Sequence, residues 1–454
     1  MLTLRMRRVT TEDPLDGIEE LLAELGDAYR PLLRDTLRFQ ADGLGIDAEQ
    51  IQSTARTDQY GEETEFGEVL AVPEGVVAVQ IKAEARRYLP AVRTGRSGRA
   101  RSRELSLFGI GQPSVVERLA EVAAAFEQRF SLELEPFAYE SDRFTALKEE
   151  GMTPPDAPSD REKAGAQVLA DPVVRRAAVS VASSGGLLVG DLPKQLPQED
   201  RHRAADVQET LESEGLVDVE LVVICKRTSA QVARVPSRDA LEQAASAGLR
   251  CACGKALLDE RVEEALSLAA LGRQLLDGSW WLSVLLMEEL RALGVSYESM
   301  LIEAKDGGDE MDCFADISGE LTLFELKDKE FSLGNAYSFG AKIGIYRPEH
   351  AVIVTTSHVG GDAREHFKRS LTADTYDEFG RARGVRRMRY VEGVQDLASA
   401  LEELADEIYG TDAQTILRRL LPMASVDAGT VISAIRSRSK DDEKTIEEPA
   451  PTDG

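Results

Sequence analysis

Residues 308–329 read Gly-Asp-Glu-Met-Asp-Cys-Phe-Ala-Asp-Ile-Ser-Gly-Glu-Leu-Thr-Leu-Phe-Glu-Leu-Lys-Asp-Lys. Two apolar-rich runs flank Ser318–Gly319, a pattern that predicts a β-hairpin. A two-residue turn centered there pairs Ile317 with Glu320, and counting outward sets Asp312 directly opposite Glu325. A four-residue turn over the same center gives the same register. Opposed residues share a sheet face, with Cβ atoms about 4.5–5.5 Å apart, and Lys327, two positions past Glu325, falls on that face as well. Two carboxylates and an ammonium therefore converge. Like charges set opposite each other destabilize a sheet unless a cation lies between them, and a divalent metal is the obvious candidate. The competing reading is a solvated hairpin face with a cross-strand Glu–Lys pair. Against it, the acids are embedded among Phe314, Leu323 and Phe324, where unpaired charge is costly.

Working outward, apolar periodicity predicts helices at 280–293, 333–346, 362–371 and 394–409, with strands at 295–304, in the hairpin, at 350–356 and at 385–391. The order is α-β-β-β-α-β-α-β-α. Cys313 points to the hairpin's other face and reads as core. This order, with Asp…Glu-x-Lys on its second and third strands, resembles the PD-(D/E)xK nuclease superfamily. The lead-in Gly307-Gly308-Asp309-Glu310-Met311-Asp312 is similar to its restriction-endonuclease-like, Mrr-type branch. The resemblance covers roughly 279–410. The spacing alone is common by chance; its specificity comes from the matched register and the flanking elements.

The resemblance implies that Asp312 and Glu325 ligate Mg²⁺ or Mn²⁺, with the Leu326 carbonyl and water completing an oxygen shell. Lys327 would orient or help deprotonate the attacking water and offset charge on the scissile phosphate. The implied activity is phosphodiester hydrolysis by a metal-dependent endonuclease with DNA as substrate, in restriction or defence by analogy alone. Two departures stand out. Met311 occupies the place of the family's proline. A glutamate from the first helix often adds a metal contact, yet Glu288 and Glu289 fall late in that helix. Asp309 is the first substitute to consider, ahead of Glu303 and Asp316.

The chain as a whole reads as an α/β and α+β multidomain protein. Residues 1–148 are expected to form a mixed α/β N-terminal domain of no assigned role, with a helix at 16–25, β runs at 69–72 and 76–81, a helix at 113–130 and a strand at 132–139. Arg93, Arg96, Arg99, Arg101 and Arg103 lie in a Gly/Ser-rich stretch that is either a phosphate-gripping loop or a solvated, disordered one. Residues 149–163 read as a linker.

Residues 164–236 resemble a winged helix-turn-helix domain whose third helix, 203–214, would meet DNA. Asp206, Glu209, Glu212 and Glu214 on that helix repel phosphate, so protein contact is the alternative. Residues 237–278 read as a degenerate zinc-ribbon-like segment followed by a connector helix at 261–276. Cys225, Cys251 and Cys253 supply three thiols, but Thr228 stands where the first pair's second cysteine would fall, and no histidine is near. Three ligands without a fourth argue against zinc. A helical extension is expected at 411–436 and a disordered tail at 437–454. A second basic cluster, Arg381, Arg383, Arg386, Arg387 and Arg389, would line a nucleic-acid groove, with Arg386 and Arg387 foremost, or form a solvated edge.

The 454 residues predict two to four domains, and the 43% apolar content is ample for their cores. A formal charge of −27 argues against non-specific coating of nucleic acid while leaving a local basic groove open. No long apolar run and no signal pattern is present, and four cysteines in so long a chain do not make a disulfide framework. A cytoplasmic protein without a membrane span is expected, its further partners being a second copy or another protein at the winged-helix-like or N-terminal domain. Two rivals remain: a nuclease fold that has lost activity and binds nucleic acid or protein, and a winged-helix transcriptional regulator. The intact Asp312, Glu325 and Lys327 argue against the first, the acidic third helix against the second.

Overall fold

The computed structural model describes residues 2–33, 64–83, 102–303, 311–372, 387–421 and 427–447. Arg93, Arg96, Arg99, Arg101, Asp309, Arg381, Arg383 and Arg386 lie outside them. The chain is mixed α and β, with three sheets among the described residues, and it divides into two compact units, residues 1–140 with 402–454 and residues 141–401.

The first unit is built on β1 (Thr3–Thr11), β2 (Arg30–Pro31), β3 (Thr64–Val72), β4 (Gly75–Ala83), β5 (Arg103–Gly111) and β6 (Glu135–Phe137). They run in the order β2-β3-β4-β5-β1-β6, antiparallel throughout. Val77, Val79, Leu105 and Leu107 of the central strands pack against Val115, Leu119, Val122 and Phe126 of the helix Val115–Phe130. Arg103, read above as part of a loop, opens β5 and pairs with Glu65 at 2.5 Å. The helix Ala428–Glu447 lies against β5, with Ile432 and Ile435 buried. The expected disordered tail is therefore helical as far as Glu447: its Lys, Asp and Glu residues extend a helix already anchored by apolar contacts, which removes the cost of nucleation.

The second unit holds two sheets. In the first, β7 (Leu187–Leu188), β8 (Val217–Ile224), β9 (Gln231–Val235) and β10 (Arg261–Leu268) take the antiparallel order β7-β10-β8-β9. Here the expected connector helix is corrected: 261–268 is a strand, and the helix is confined to Ala270–Leu276. Glu263, Glu264, Ala265 and Leu266 favor helix intrinsically. Pairing along the whole of β8 on one side and with β7 on the other overrides that preference. The helices Pro172–Ser184, Leu192–Gln195 and Ala204–Ser213 precede β8. The linker is shorter than read, because Ser159 and Glu162 form a capping box that starts the helix Asp160–Leu169. Upstream, the helix Asp142–Glu149 sends Phe144 and Leu147 into the core of the last sheet, so it belongs to this unit rather than to the N-terminal domain.

The last sheet runs β11 (Met300–Glu303), β12 (Met311–Ile317), β13 (Glu320–Lys327), β14 (His350–Thr355) and β15 (Arg387–Glu392) in sequence order. β11 to β13 are antiparallel, and β13 to β15 are parallel. With the helices Trp280–Ala292, Leu333–Tyr346, Gly361–Thr372 and Leu397–Leu420, the element order matches that read from the sequence. Ser318 and Gly319 both have positive φ, 58° and 84°, as a two-residue hairpin turn of the favored twist requires. One sheet face, carrying Phe314, Leu323, Ala351 and Ile353, packs on Phe331, Phe339 and Phe367; each such ring contributes roughly 1.5–3 kcal/mol by burial. Among the described residues, no helix is long and apolar enough to cross a membrane.

Candidate functional site

The hairpin register is the one counted from the turn: Ile317 faces Glu320, and Asp312 faces Glu325. The same row continues on both sides. Glu303 of β11 is the partner of Asp312, and Ile353 and Tyr390 extend the row through β14 and β15. Opposed residues share a face, so Glu303, Asp312 and Glu325 form a line of three acids across adjacent strands. Lys327, Thr355 and Glu392 form the next row on that face. Ile353 and Leu323 carry the face into the core beneath the helix Leu333–Tyr346.

That helix supplies a residue the sequence reading missed. Lys342 donates to Glu325 Oε2 at 2.9 Å, while Lys327 Nζ lies 3.2 Å from Glu325 Oε1. One carboxylate thus sits between two ammonium groups. The Glu325 and Lys327 side chains are each 1% exposed and Lys342 12%. Taking such charges out of water costs several kcal/mol per ion, which the second ammonium helps to offset. Nothing local in the sequence marks Lys342; only the packing of its helix over the sheet brings it to Glu325.

The other acidic candidates separate by position. Tyr297 donates its hydroxyl to Glu288 at 2.5 Å, and Lys163 pairs with the same carboxylate at 3.1 Å. Burial, then the Glu288 carboxylate, push the Tyr297 phenol up. Asp316 is occupied from two sides: its carboxylate accepts from Gly319 N of the turn at 2.7 Å and from Ser141 N, ahead of the helix Asp142–Glu149, at 2.6 Å. Glu303 alone of these is placed beside Asp312 by register. Leu326 lies in β13 between Met311 and Val354, and Arg387 opens β15 opposite His350. Cys313 is buried on the face away from Glu325.

Immediately after Lys327, Asp328 is held from two sides. Arg175 Nε lies 3.2 Å from Oδ1, and Trp281 Nε1 donates to Oδ2 at 3.3 Å. The Arg175 guanidinium stacks 4.8 Å from the Trp281 ring center and donates to the Leu169 carbonyl at 2.8 Å. The end of β13 is thereby tied to the helix Pro172–Ser184.

A second cluster lies around the β8–β9 turn. Ligand atoms of Cys225, Cys251, Cys253 and Glu260 all fall within 4.8 Å of one another. Cys225 directly follows β8, Cys251 and Cys253 sit on a tight turn closed by the Arg250–Ala256 bridge, and Glu260 precedes β10. The Thr228 hydroxyl and backbone N–H, followed by the Arg227 N–H, donate to Cys225 Sγ and hold that thiol down. At Cys251 the Cys253 N–H also donates to Sγ, but burial and the neighboring thiols push the group up on balance. Glu260 Oε1 accepts from the Cys253 thiol at 2.9 Å and Oε2 from Lys226 N at 2.7 Å, which lowers its carboxyl to about 2. Glu260 was absent from the sequence reading; it is separated from Cys253 by a 3₁₀ turn and has no ligand-motif spacing. The chain matches no family model, no curated protein and no solved structure.

Proposed function

We propose that the chain is a metal-dependent nuclease that hydrolyzes phosphodiester bonds, with DNA as substrate and the last sheet as its catalytic domain. One observation carries the reading: Glu303, Asp312 and Glu325 stand in register on three neighboring strands, with Lys327 on the same face. The element order around them supports a restriction-endonuclease-like core. The all-oxygen donor set suits a hard divalent cation, and three acids in register on adjacent strands repel one another unless a cation lies between them. Asp312 and Glu325, with the Leu326 carbonyl and Glu303 as the third acid, would hold Mg²⁺ or Mn²⁺. Such an ion supplies Lewis-acid activation of water and charge neutralization at phosphorus. Lys327 orients the attacking water and balances the charge that builds on the phosphate oxygens. Lys342 holds Glu325 in place. The nearly complete burial of Glu325 and Lys327 requires an opening step before a phosphodiester can reach them.

In the middle of the chain, the order helix, short strand, helix, helix, strand with β10 closing the sheet supports a winged-helix-like module. Its third helix exposes Asp206, Glu209 and Glu212, which favors a protein-facing role over DNA reading. A second reading of the whole protein is favored by the burial just described: a nuclease fold that binds without cutting, its Glu325–Lys327 pair being structural.

The experiment incubates the full chain with plasmid, linear and single-stranded DNA, and with RNA, in Mg²⁺ or Mn²⁺, beside Asp312→Ala and Lys327→Ala. Cleavage by the wild type that both substitutions abolish supports the proposal. No cleavage of any substrate with either metal, or cleavage that survives both substitutions, sinks it. Binding without cutting assigns the second reading.

A further inference from the structure

We propose that Cys225, Cys251, Cys253 and Glu260 form a structural zinc site that closes the β8–β9 lobe, independently of any activity at the hairpin. The geometry is that of a four-ligand shell. With Zn–S near 2.3 Å and Zn–O near 2.0 Å, the edges of a tetrahedral Cys₃Glu site are about 3.5–3.8 Å, well inside the 4.8 Å spread of the four ligand atoms. Cys225, Cys251 and Glu260 are buried and Cys253 half-buried. No position is left open to solvent chemistry, which marks a structural rather than a catalytic site.

The surroundings are arranged for thiolates. Backbone N–H groups of Arg227 and Thr228 point at Cys225 Sγ, and that of Cys253 at Cys251 Sγ. Successive main-chain donors of this kind stabilize anionic sulfur. Ser229 and Gly254, at φ 56° and 93°, turn the backbone in the two loops that carry the thiols. Glu260 is fixed as a ligand by its neighbor: Lys226 N holds Oε2 and leaves Oε1 facing the sulfurs, the arrangement by which outer contacts orient metal ligands. Three soft sulfurs exclude Mg²⁺ and Ca²⁺, whereas thiolates with one carboxylate suit Zn²⁺. Lys226, Arg227, Arg250 and Lys255 lie in the same loops and balance the net negative charge of such a shell.

The lobe also needs a staple. Residues 225–260 bury little: the cluster beneath them has Val223, Leu241 and Leu257 as its fully buried members, and Leu249 and Leu258 remain exposed. Segments shorter than about 40 residues rarely hold together without a disulfide, a metal or a partner. All the cysteines are free thiols here, so the four convergent ligands are the available staple.

The test is metal analysis of the full chain, expressed without added metal beyond ordinary medium and purified without a metal-affinity step. About one zinc per chain is expected, and the double variant Cys251→Ser/Cys253→Ser should carry none. Because that variant could misfold, two readouts stand beside it. Cobalt added to chelator-stripped wild type should give a thiolate-to-cobalt charge-transfer band and the intense visible bands of a tetrahedral site. Glu260→Cys, a conservative ligand exchange, should keep zinc, while Glu260→Ala should release it to a competing chelator far more readily. Stripping the metal should open the lobe to trypsin at Lys226, Arg227 and Arg234. Wild type with no more zinc than the double variant and no cobalt–thiolate band overturns the proposal, as does iron with acid-labile sulfide in place of zinc.

Discussion

At the scale of single residues, Lys327 and Lys342 share one buried carboxylate, and they should not behave alike. Lys327 lies on the face proposed to be catalytic, beside Glu325, so Lys327→Met should lower kcat by about 10²–10³-fold, the usual loss when a preorganized charge donor is removed. Lys342→Met should cost less activity, since its role is to position Glu325. Each single variant keeps one ammonium at Glu325. The double variant keeps neither and should lose about 3–5 kcal/mol, the range for breaking a buried ion pair, measured as a drop in unfolding midpoint larger than the sum of the two singles. A strictly additive cycle would show that the two lysines do not act on one carboxylate. The third acid gives a second residue-level expectation. Glu303→Gln should raise the Mg²⁺ concentration for half-maximal cleavage by about 10–100-fold, whereas Glu288→Gln should leave it unchanged, because Glu288 is engaged by Tyr297 and Lys163. The reverse ranking would return the third contact to the first helix. The register that sets Asp312 opposite Glu325, with Lys327 on the same face, is legible because a hairpin register can be counted along the chain. Lys342 and Glu260 are not, because their distance to the site is set by helix packing and by a loop that no residue spacing encodes.

At the scale of elements, the same contrast between local and tertiary information recurs. The hairpin is legible from Ser318–Gly319 because both turn positions must tolerate positive φ and the flanking strands are apolar. Ser318, at φ 58°, is the weaker of the two: a non-glycine residue pays roughly 1 kcal/mol there, and asparagine pays least among them. Ser318→Asn should therefore stabilize the second unit by about 0.5 kcal/mol and Ser318→Val destabilize it by about 1–2 kcal/mol, read by denaturant midpoints at unchanged m. An unaffected Ser318→Val variant would mean that the turn does not set the register. β10 failed in the opposite direction. Its alanine, leucine and glutamates carry helix propensity, and the two partners that make it a strand, β7 and β8, are far away in sequence. The capping box at Ser159–Glu162 was available locally and was obscured by the prolines just before it. Asp316 looks like a ligand by type, yet its carboxylate is taken up by two backbone donors, Gly319 N in the turn and Ser141 N at the start of the helix Asp142–Glu149.

At the scale of the whole molecule, the formal charge of −27 bears on how a nucleic acid could be engaged at all. A protein that neutralizes many phosphates releases many counterions, and its affinity falls steeply with salt, by about 10³–10⁵ between 50 and 200 mM for six to ten contacts. Among the described residues, the positive charge placed at Glu325 is Lys327 and Lys342, and the solvent face of the helix Ala204–Ser213 is acidic. In the proposed reading, engagement should then rest on about two phosphate contacts, one made by Lys327 and one through the divalent ion. With a slope near −0.9 per contact, KM for a linear DNA should rise only about tenfold from 50 to 200 mM monovalent salt at fixed Mg²⁺. Long-range repulsion between two polyanions, which salt screens, works against even that rise at the low-salt end, so the plot of log KM against log salt should be shallow and flatten toward low salt. A straight, steep slope of about −6 in log affinity would instead demand an extended basic groove, with the arginines around the start of β15 as the place to look, and would mean that docking rather than the row proposed to hold metal dominates substrate capture.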